Sequence, residues 1–262
     1  MRHPVLRKLA IVTAALAGAL LVVITLAPAA LLAGALHRWS SAHAELDDPT
    51  GTLWEGQAEL VLASGDENSS FRTKLPGRIS WRINPWRLLV GTLDVTVSNA
   101  AVLDAPLELR VDRDTTATID ANGLRLPAGL LVGLGAPWNT IRPGGELQLR
   151  WDTLHLRSGD LSGHLSLEWA EASSALSPIV PFGHYRLQAN GIHPGALLQL
   201  DTISGPMEMI GSGTIGDGRR LRFEGIARVQ PGTDPAVATQ LSGLITLLGR
   251  RQGEEAILKF GN

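Results

Sequence analysis

The side chains able to do chemistry are few, and their spacing does not suit them to it. Histidine occurs at His3, His37, His43, His155, His164, His184 and His193. A helical zinc site needs two ligands about one turn apart on one face. None of these histidines has a second histidine or a carboxylate four residues on in a segment of helical periodicity. Cysteine is absent, which removes thiolate nucleophiles, disulfides and sulfur-ligated metals. No Gly-x-Ser-x-Gly elbow occurs. Gly211-Ser212-Gly213 resembles a fragment of a phosphate loop but lacks the following lysine and sits among alternating residues, so it reads as glycines within a strand. The acid pairs Asp47-Asp48, Glu168/Glu171 and Glu254-Glu255 lie in polar stretches, where exposed charge is the expectation and general acid–base work is not. The expectation is therefore a protein that is not an enzyme, with no catalytic, cofactor-binding or metal-binding residues.

The elements around these residues say more. Between Leu9 and Leu36 no side chain is charged, a run of 28 positions. As a helix it would be about 42 Å long, more than the roughly 30 Å of a bilayer's hydrocarbon core. Arg2, Arg7 and Lys8 precede it, and Glu45, Asp47 and Asp48 follow soon after Arg38. The positive-inside rule keeps such an N-terminus in the cytoplasm and exports the rest. Three parts are expected: a cytoplasmic tail at 1–8, a transmembrane signal anchor at 9–36, and an exported domain at 37–262. Ala42-His43-Ala44 offers the competing reading of a cleavable leader, but an uncharged run this long is about twice a usual leader core.

Formal net charge is −2, unevenly placed. Four of the 23 basic residues and none of the acids fall in the first 38 positions, leaving 19 basic against 25 acidic residues beyond them. A mildly acidic domain without a basic stripe is not built for nucleic acid.

Beyond Trp39 the pattern turns to two-residue alternation. Leu147, Leu149 and Trp151 alternate with Gln148, Arg150 and Asp152; Leu165, Leu167 and Trp169 alternate with Ser166 and Glu168; Tyr185, Leu187 and Ala189 alternate with Arg186, Gln188 and Asn190. Leu221 and Phe223 continue the pattern, as do Ala256, Leu258 and Phe260 near the end. Such segments are strands with one face on a core and one in water. Turn residues punctuate them at Arg142-Pro143-Gly144-Gly145, Ser158-Gly159-Asp160, His193-Pro194-Gly195 and Gly216-Asp217-Gly218, with a polar stretch at Asp66–Ser70. Two helices break the alternation. One is capped by Asp234-Pro235, carries Val237, Leu241, Leu244 and Leu248 on one face, and stops at Gly249; a shorter one runs over Pro127–Leu134. The expected fold is mostly β, an antiparallel sheet that is strongly curved or sandwich-like, with one transmembrane helix and one or two short helices.

Tryptophan takes three roles. Trp39 follows the anchor and suits the membrane interface. Trp54 is expected to pack in the first strand, with Gly51 and Gly56 permitting a bulge or close backbone approach. Trp81-Arg82-Ile83-Asn84-Pro85-Trp86-Arg87 fits either a strand end that closes a core or a Trp/Arg binding surface.

Several segments together resemble the type II secretion system protein N family. They are Gly51-Thr52-Leu53-Trp54-Glu55-Gly56-Gln57-Ala58, Leu176-Ser177-Pro178 with Pro181-Phe182-Gly183-His184-Tyr185, Gly205-Pro206-Met207-Glu208-Met209-Ile210-Gly211-Ser212-Gly213, Leu221–Ala227, and Leu248-Gly249-Arg250-Arg251. That resemblance implies an accessory or assembly component in the cell inner membrane, supporting export of folded proteins from the periplasm across the outer membrane. Its partners would be other secretion subunits and the lipid bilayer, with no cofactor; oligomeric state is left open. The opening motif also resembles that of AsmA-like envelope proteins linked to lipid handling, which supplies the alternative. The two differ in what the apolar face of the sheet contacts. An assembly subunit would close that face, and a lipid carrier would keep it open.

Overall fold

The computed structural model describes residues 25–64, 71–135, 138–157, 160–191, 195–216 and 221–261. Most of the expected anchor, the stretch Asp66–Ser70 and parts of three expected turns lie outside them.

All 17 strands among the described residues belong to one antiparallel sheet. Pairing follows the chain almost without exception. β1 (Ala44–Gly51) pairs with β2 (Glu55–Ala63), and β2 pairs along its length with β3 (Arg72–Lys74) and β4 (Ile79–Ile83), two halves of one broken strand. The ladder continues through β5 (Leu93–Ser98), β6 (Leu107–Val111) and β7 (Ala117–Ile119). Next, β7 and β8 (Asn122–Pro127) pair with β10 (Leu154–Arg157) and β9 (Pro143–Trp151) respectively, and β9 and β10 together line β11 (Asp160–Ser174). Then come β12 (Gly183–Gly191), β13 (Ala196–Ser204), β14 (Met207–Ile215) and β15 (Leu221–Val229). The last hairpin, β16 (Arg250–Gln252) with β17 (Glu255–Phe260), docks β17 on β15. A meander of this kind needs only short connections, so each strand finds its partner locally.

The alternation in the sequence becomes two continuous faces. Directly opposed pairs on one face include Trp81/Val97, Val95/Leu109, Leu109/Ile119, Leu149/Leu167, Leu167/Leu187 and Leu187/Leu200. The other face opposes Glu55/Arg82, Asp94/Arg110, Glu168/Arg186, Glu208/Arg228 and Glu224/Lys259. A one-residue slip would exchange the faces, so the pattern fixes the register.

Helices cover the apolar face at its two ends. α1 (Ala30–Trp39) lies against β1; its Leu32, and Ala29 just before it, join a cluster with Ala58, Trp81, Leu46 and Ile83. At the far end α4 (Pro235–Leu248) buries Leu241, Leu244 and Ile245 against Met207, Met209, Ala227, Ala256 and Leu258. Its start is as the sequence indicates, with the Asp234 carboxylate accepting from the Ala236 N–H at 2.7 Å. The expected short helix is a 3-10 segment, Ala128–Leu134, resting on β2, β3 and β9. Two further helical turns, α2 (Pro85–Leu89) and α3 (Trp138–Ile141), were not expected.

No helix among the described residues is long and apolar enough to cross a membrane, and most of the expected anchor lies outside them. The described end of the uncharged run is interrupted at Pro28, which bridges Thr52, and the Leu53 N–H donates to the Ala27 carbonyl at 2.7 Å. Proline lacks the N–H that a continuing helix needs, so the described part of the run is not one unbroken helix, and a new helix starts at Ala30. The proposed turn at Arg142–Gly145 is instead the bulged start of β9, with Pro143 opposite Ser174 and Gly145 at φ +91°. Trp54 stands half-buried in the turn between β1 and β2, outside the first strand.

Candidate functional site

The Gly51–Ala58 motif builds a joint. Gly51, at φ +89°, reverses the chain between β1 and β2. The Thr52 hydroxyl oxygen accepts from the N–H groups of Trp54 and Glu55, at 3.3 and 3.1 Å, which tightens the turn. A Cβ at Gly56 would fall 2.5 Å from Cζ2 of Trp81 and 2.7 Å from the Thr50 carbonyl oxygen, so glycine is what lets the indole lie against the backbone. Trp81 is 4% exposed, and its Nε1–H donates to the Leu53 carbonyl at 3.1 Å. The motif thus clamps three things together: the arriving N-terminal segment, the first hairpin and the indole of Trp81. The Ile83 N–H, donating to the Trp54 carbonyl at 2.6 Å, ties β4 to the same turn.

A second joint interlocks the other matching segments. Phe182 and Tyr185 are each 2% exposed, and Trp169 meets Phe182 edge-on at 5.7 Å between centroids. The Tyr185 hydroxyl donates to the Met207 carbonyl at 2.9 Å, and burial pushes its pKa upward. A Cβ on Gly205, at φ +118°, would come within 2.4 Å of the Gly183 Cα. Gly211 and Gly213 sit mid-strand, forming a floor on which the Phe223 ring rests. No phosphate loop is formed there. Glycines in these segments serve close packing between strands.

The residues first weighed for chemistry are scattered. His155 and His164 lie on the polar face, with Nδ1 3.2 Å from the Thr118 hydroxyl and 2.5 Å from the Asn190 side-chain oxygen respectively. His184 stands 3.6 Å from Glu168, and its Nε2 is buried with no hydrogen-bond partner. The Arg186 guanidinium, 2.7 Å from Glu168, holds that carboxyl below its ordinary value. Glu168 therefore stays ionised and paired, which disqualifies it as a proton donor near neutrality. Among the described residues no three His, Asp or Glu side chains converge as a metal site would require.

The polar face carries cross-strand ion pairs: Arg82–Glu55 at 2.8 Å, Arg110–Asp94 at 3.2 Å, Arg228–Glu208 at 2.5 Å and Lys259–Glu224 at 2.7 Å. Water screens such exposed pairs, so they register strands more than they stabilise them. The apolar face is covered by α1 and α4 at its ends. Between them Trp151 and Leu154 are buried, Val95, Val97, Leu109, Leu149, Leu167 and Leu187 are half-buried, and Leu156 is 36% exposed.

The Trp81–Arg87 segment divides between its two possible roles. Trp81 closes a core, whereas Trp86 is 71% exposed, carried outward by α2. The dividing signal was present as Asn84-Pro85, a cap followed by a first-turn proline; the Asn84 side chain accepts from the Trp86 N–H at 3.2 Å.

A family model described as type II secretion system (T2SS), protein N, matches residues 42–257. No curated protein and no solved structure matches the chain.

Proposed function

Because the chain belongs to the type II secretion system protein N family, we propose that it is an accessory component of that apparatus, held at the inner membrane with its sheet on the periplasmic side. The carrying observation is the extent of the match. Residues 42–257 run from just before β1 to within β17, so the similarity covers nearly all of the sheet, with the Gly51–Ala58 turn and the second joint. The charge-free run Leu9–Ala27, preceded by Arg2, Arg7 and Lys8, supports the anchoring. Confinement beside other secretion subunits raises effective concentration, so weak contacts from a polar, ion-paired face suffice for assembly. Nothing in the arrangement of the described residues asks for catalysis.

One observation favours the lipid-handling alternative. The apolar face between α1 and α4 is left half-buried, and an acyl chain laid along it would gain about 0.8 kcal/mol per buried methylene. A single experiment separates the readings: purification of the tagged full chain from gently solubilised membranes, analysed for protein and lipid together. Stoichiometric secretion subunits without retained phospholipid are expected. Phospholipid in molar proportion, with no secretion subunit, would overturn the assembly reading in favour of the other.

A further inference from the structure

The connection from β4 to β5 turns a cluster of large apolar side chains outward. Trp86 is 71% exposed, Leu88 43%, Leu89 78% and Val90 46%. Four such residues within five positions form a contiguous apolar tip, unlike scattered single surface leucines. Backbone hydrogen bonds close the tip on itself. Arg87 N–H donates to the Asn84 carbonyl, Val90 and Thr92 N–H to Arg87, and Gly91 N–H to Leu88, at 3.0–3.3 Å. Each backbone group bonded in this way leaves water at less cost than a free one. Arginines flank it: Arg87, which also pairs with Asp94 at 2.9 Å, and Arg113, whose Nε donates to the Val90 carbonyl.

The position of the tip identifies its partner. The uncharged run from Leu9 reaches the sheet at Ala27, where the Leu53 N–H meets the Ala27 carbonyl, and the next residue, Trp54, accepts from Ile83 at the foot of the tip. The N-terminal segment and the tip are thus at one end of the sheet, separated only by the Gly51–Glu55 turn. Leu26 and Leu31, 66% and 55% exposed, extend the apolar surface beside the junction. Trp39, by contrast, stands at the other end of the ten-residue helix α1, about 15 Å away. A membrane that takes up the run ending at Ala27 would therefore meet this end of the sheet first.

We infer that the Trp86–Val90 tip is a second membrane contact. It seats Trp86, Leu88 and Leu89 in the interfacial region of the leaflet from which the anchor emerges, with Arg87 and Arg113 at the phosphate level. An indole with apolar and hydrogen-bonding edges, leucines below it and guanidiniums beside it match that interface in depth order. Two contacts at one end of the sheet would restrict rotation about the anchor and present the two faces at a fixed angle to the bilayer. This rests on the anchored reading given above.

The chain has no cysteine, so a single one can be introduced cleanly. Full-length Leu89→Cys and Ile203→Cys, each carrying an environment-sensitive fluorophore, are reconstituted into phosphatidylethanolamine/phosphatidylglycerol vesicles. Ile203 is 42% exposed and near the opposite end of its strand. The Leu89 probe should shift to the blue, be quenched by nitroxide-labelled lipid and resist iodide, while the Ile203 probe does the reverse. A Leu89 probe open to iodide in inserted protein overturns the inference, as does one shielded only when a secretion subunit is added. Extraction of the chain by alkaline carbonate would defeat the anchored reading by itself. The unanchored chain should then still float with the same vesicles and lose flotation in Trp86→Ser/Leu89→Ser, and failure to do so overturns the tip separately.

Discussion

Trp81→Ala should lower the stability of the detergent-solubilised protein by about 3–5 kcal/mol, the range for emptying a buried tryptophan site. The side chain is 4% exposed, rests on Gly56, and is enclosed by Ala29, Ala58 and Ile83. Its removal leaves the Leu53 carbonyl without the indole donor and opens the cavity beneath α1. A domain of total stability near 5–15 kcal/mol has little reserve against such a loss. Trp86→Ala removes a ring of the same size from a site 71% exposed, and its denaturation midpoint should stay within about 0.5 kcal/mol of the parent. Trp54, half-buried in the turn, falls between the two. Equal midpoints for the Trp81 and Trp86 variants in a chemical denaturation series would contradict the assignment of one ring to the core and the other to the surface.

The second large effect is at the other end of the sheet. Leu241→Ala should cost about 2–5 kcal/mol, because Leu241 is fully buried under α4 against Met207, Ala227 and Ala256. Loss of this contact frees the helix to lift from the sheet and exposes more of the apolar face, so the variant should bind a hydrophobic dye before it unfolds. Leu247, 68% exposed on the opposite side of the same helix, is the control: Leu247→Ala should change neither stability nor dye binding appreciably. Dye binding and midpoint unchanged in Leu241→Ala would mean that α4 does not close the core.

Much of this architecture is written locally. Alternation of the Leu147–Trp151 and Leu165–Trp169 kind specifies which face each residue joins, and in a sequential meander that is nearly the whole topology. The helix over Pro235–Leu248 was legible because a cap, a first-turn proline and a helical apolar face agree. What could not be read depends on contacts distant in sequence. Trp81 shares an alternating face with Ile79 and Ile83, but the approach of Gly56 to β4 is what buries its ring against the first turn while Trp54 stays half-buried. The break at Pro28 was visible as a residue, yet its consequence depends on Thr52, 24 positions away, offering the bridge. At the second joint, the spacing of Gly183 and Gly205 gives no hint that their backbones nearly touch. For the surface tip, Asn84-Pro85 supplied a local signal, but the exposure of Leu88 and Leu89 follows from where β4 ends.

The central claim is that this protein serves type II secretion from a membrane-anchored position without carrying lipid. Its most direct test is deletion in the parent bacterium, measured as export of secretion cargo from periplasm to medium alongside entry of large antibiotics through the outer membrane. Cargo retained in the periplasm behind an intact barrier, restored by the full chain supplied in trans, is the predicted result. Normal export with a leaky, detergent-sensitive envelope would contradict the claim and assign the half-buried apolar face to lipid.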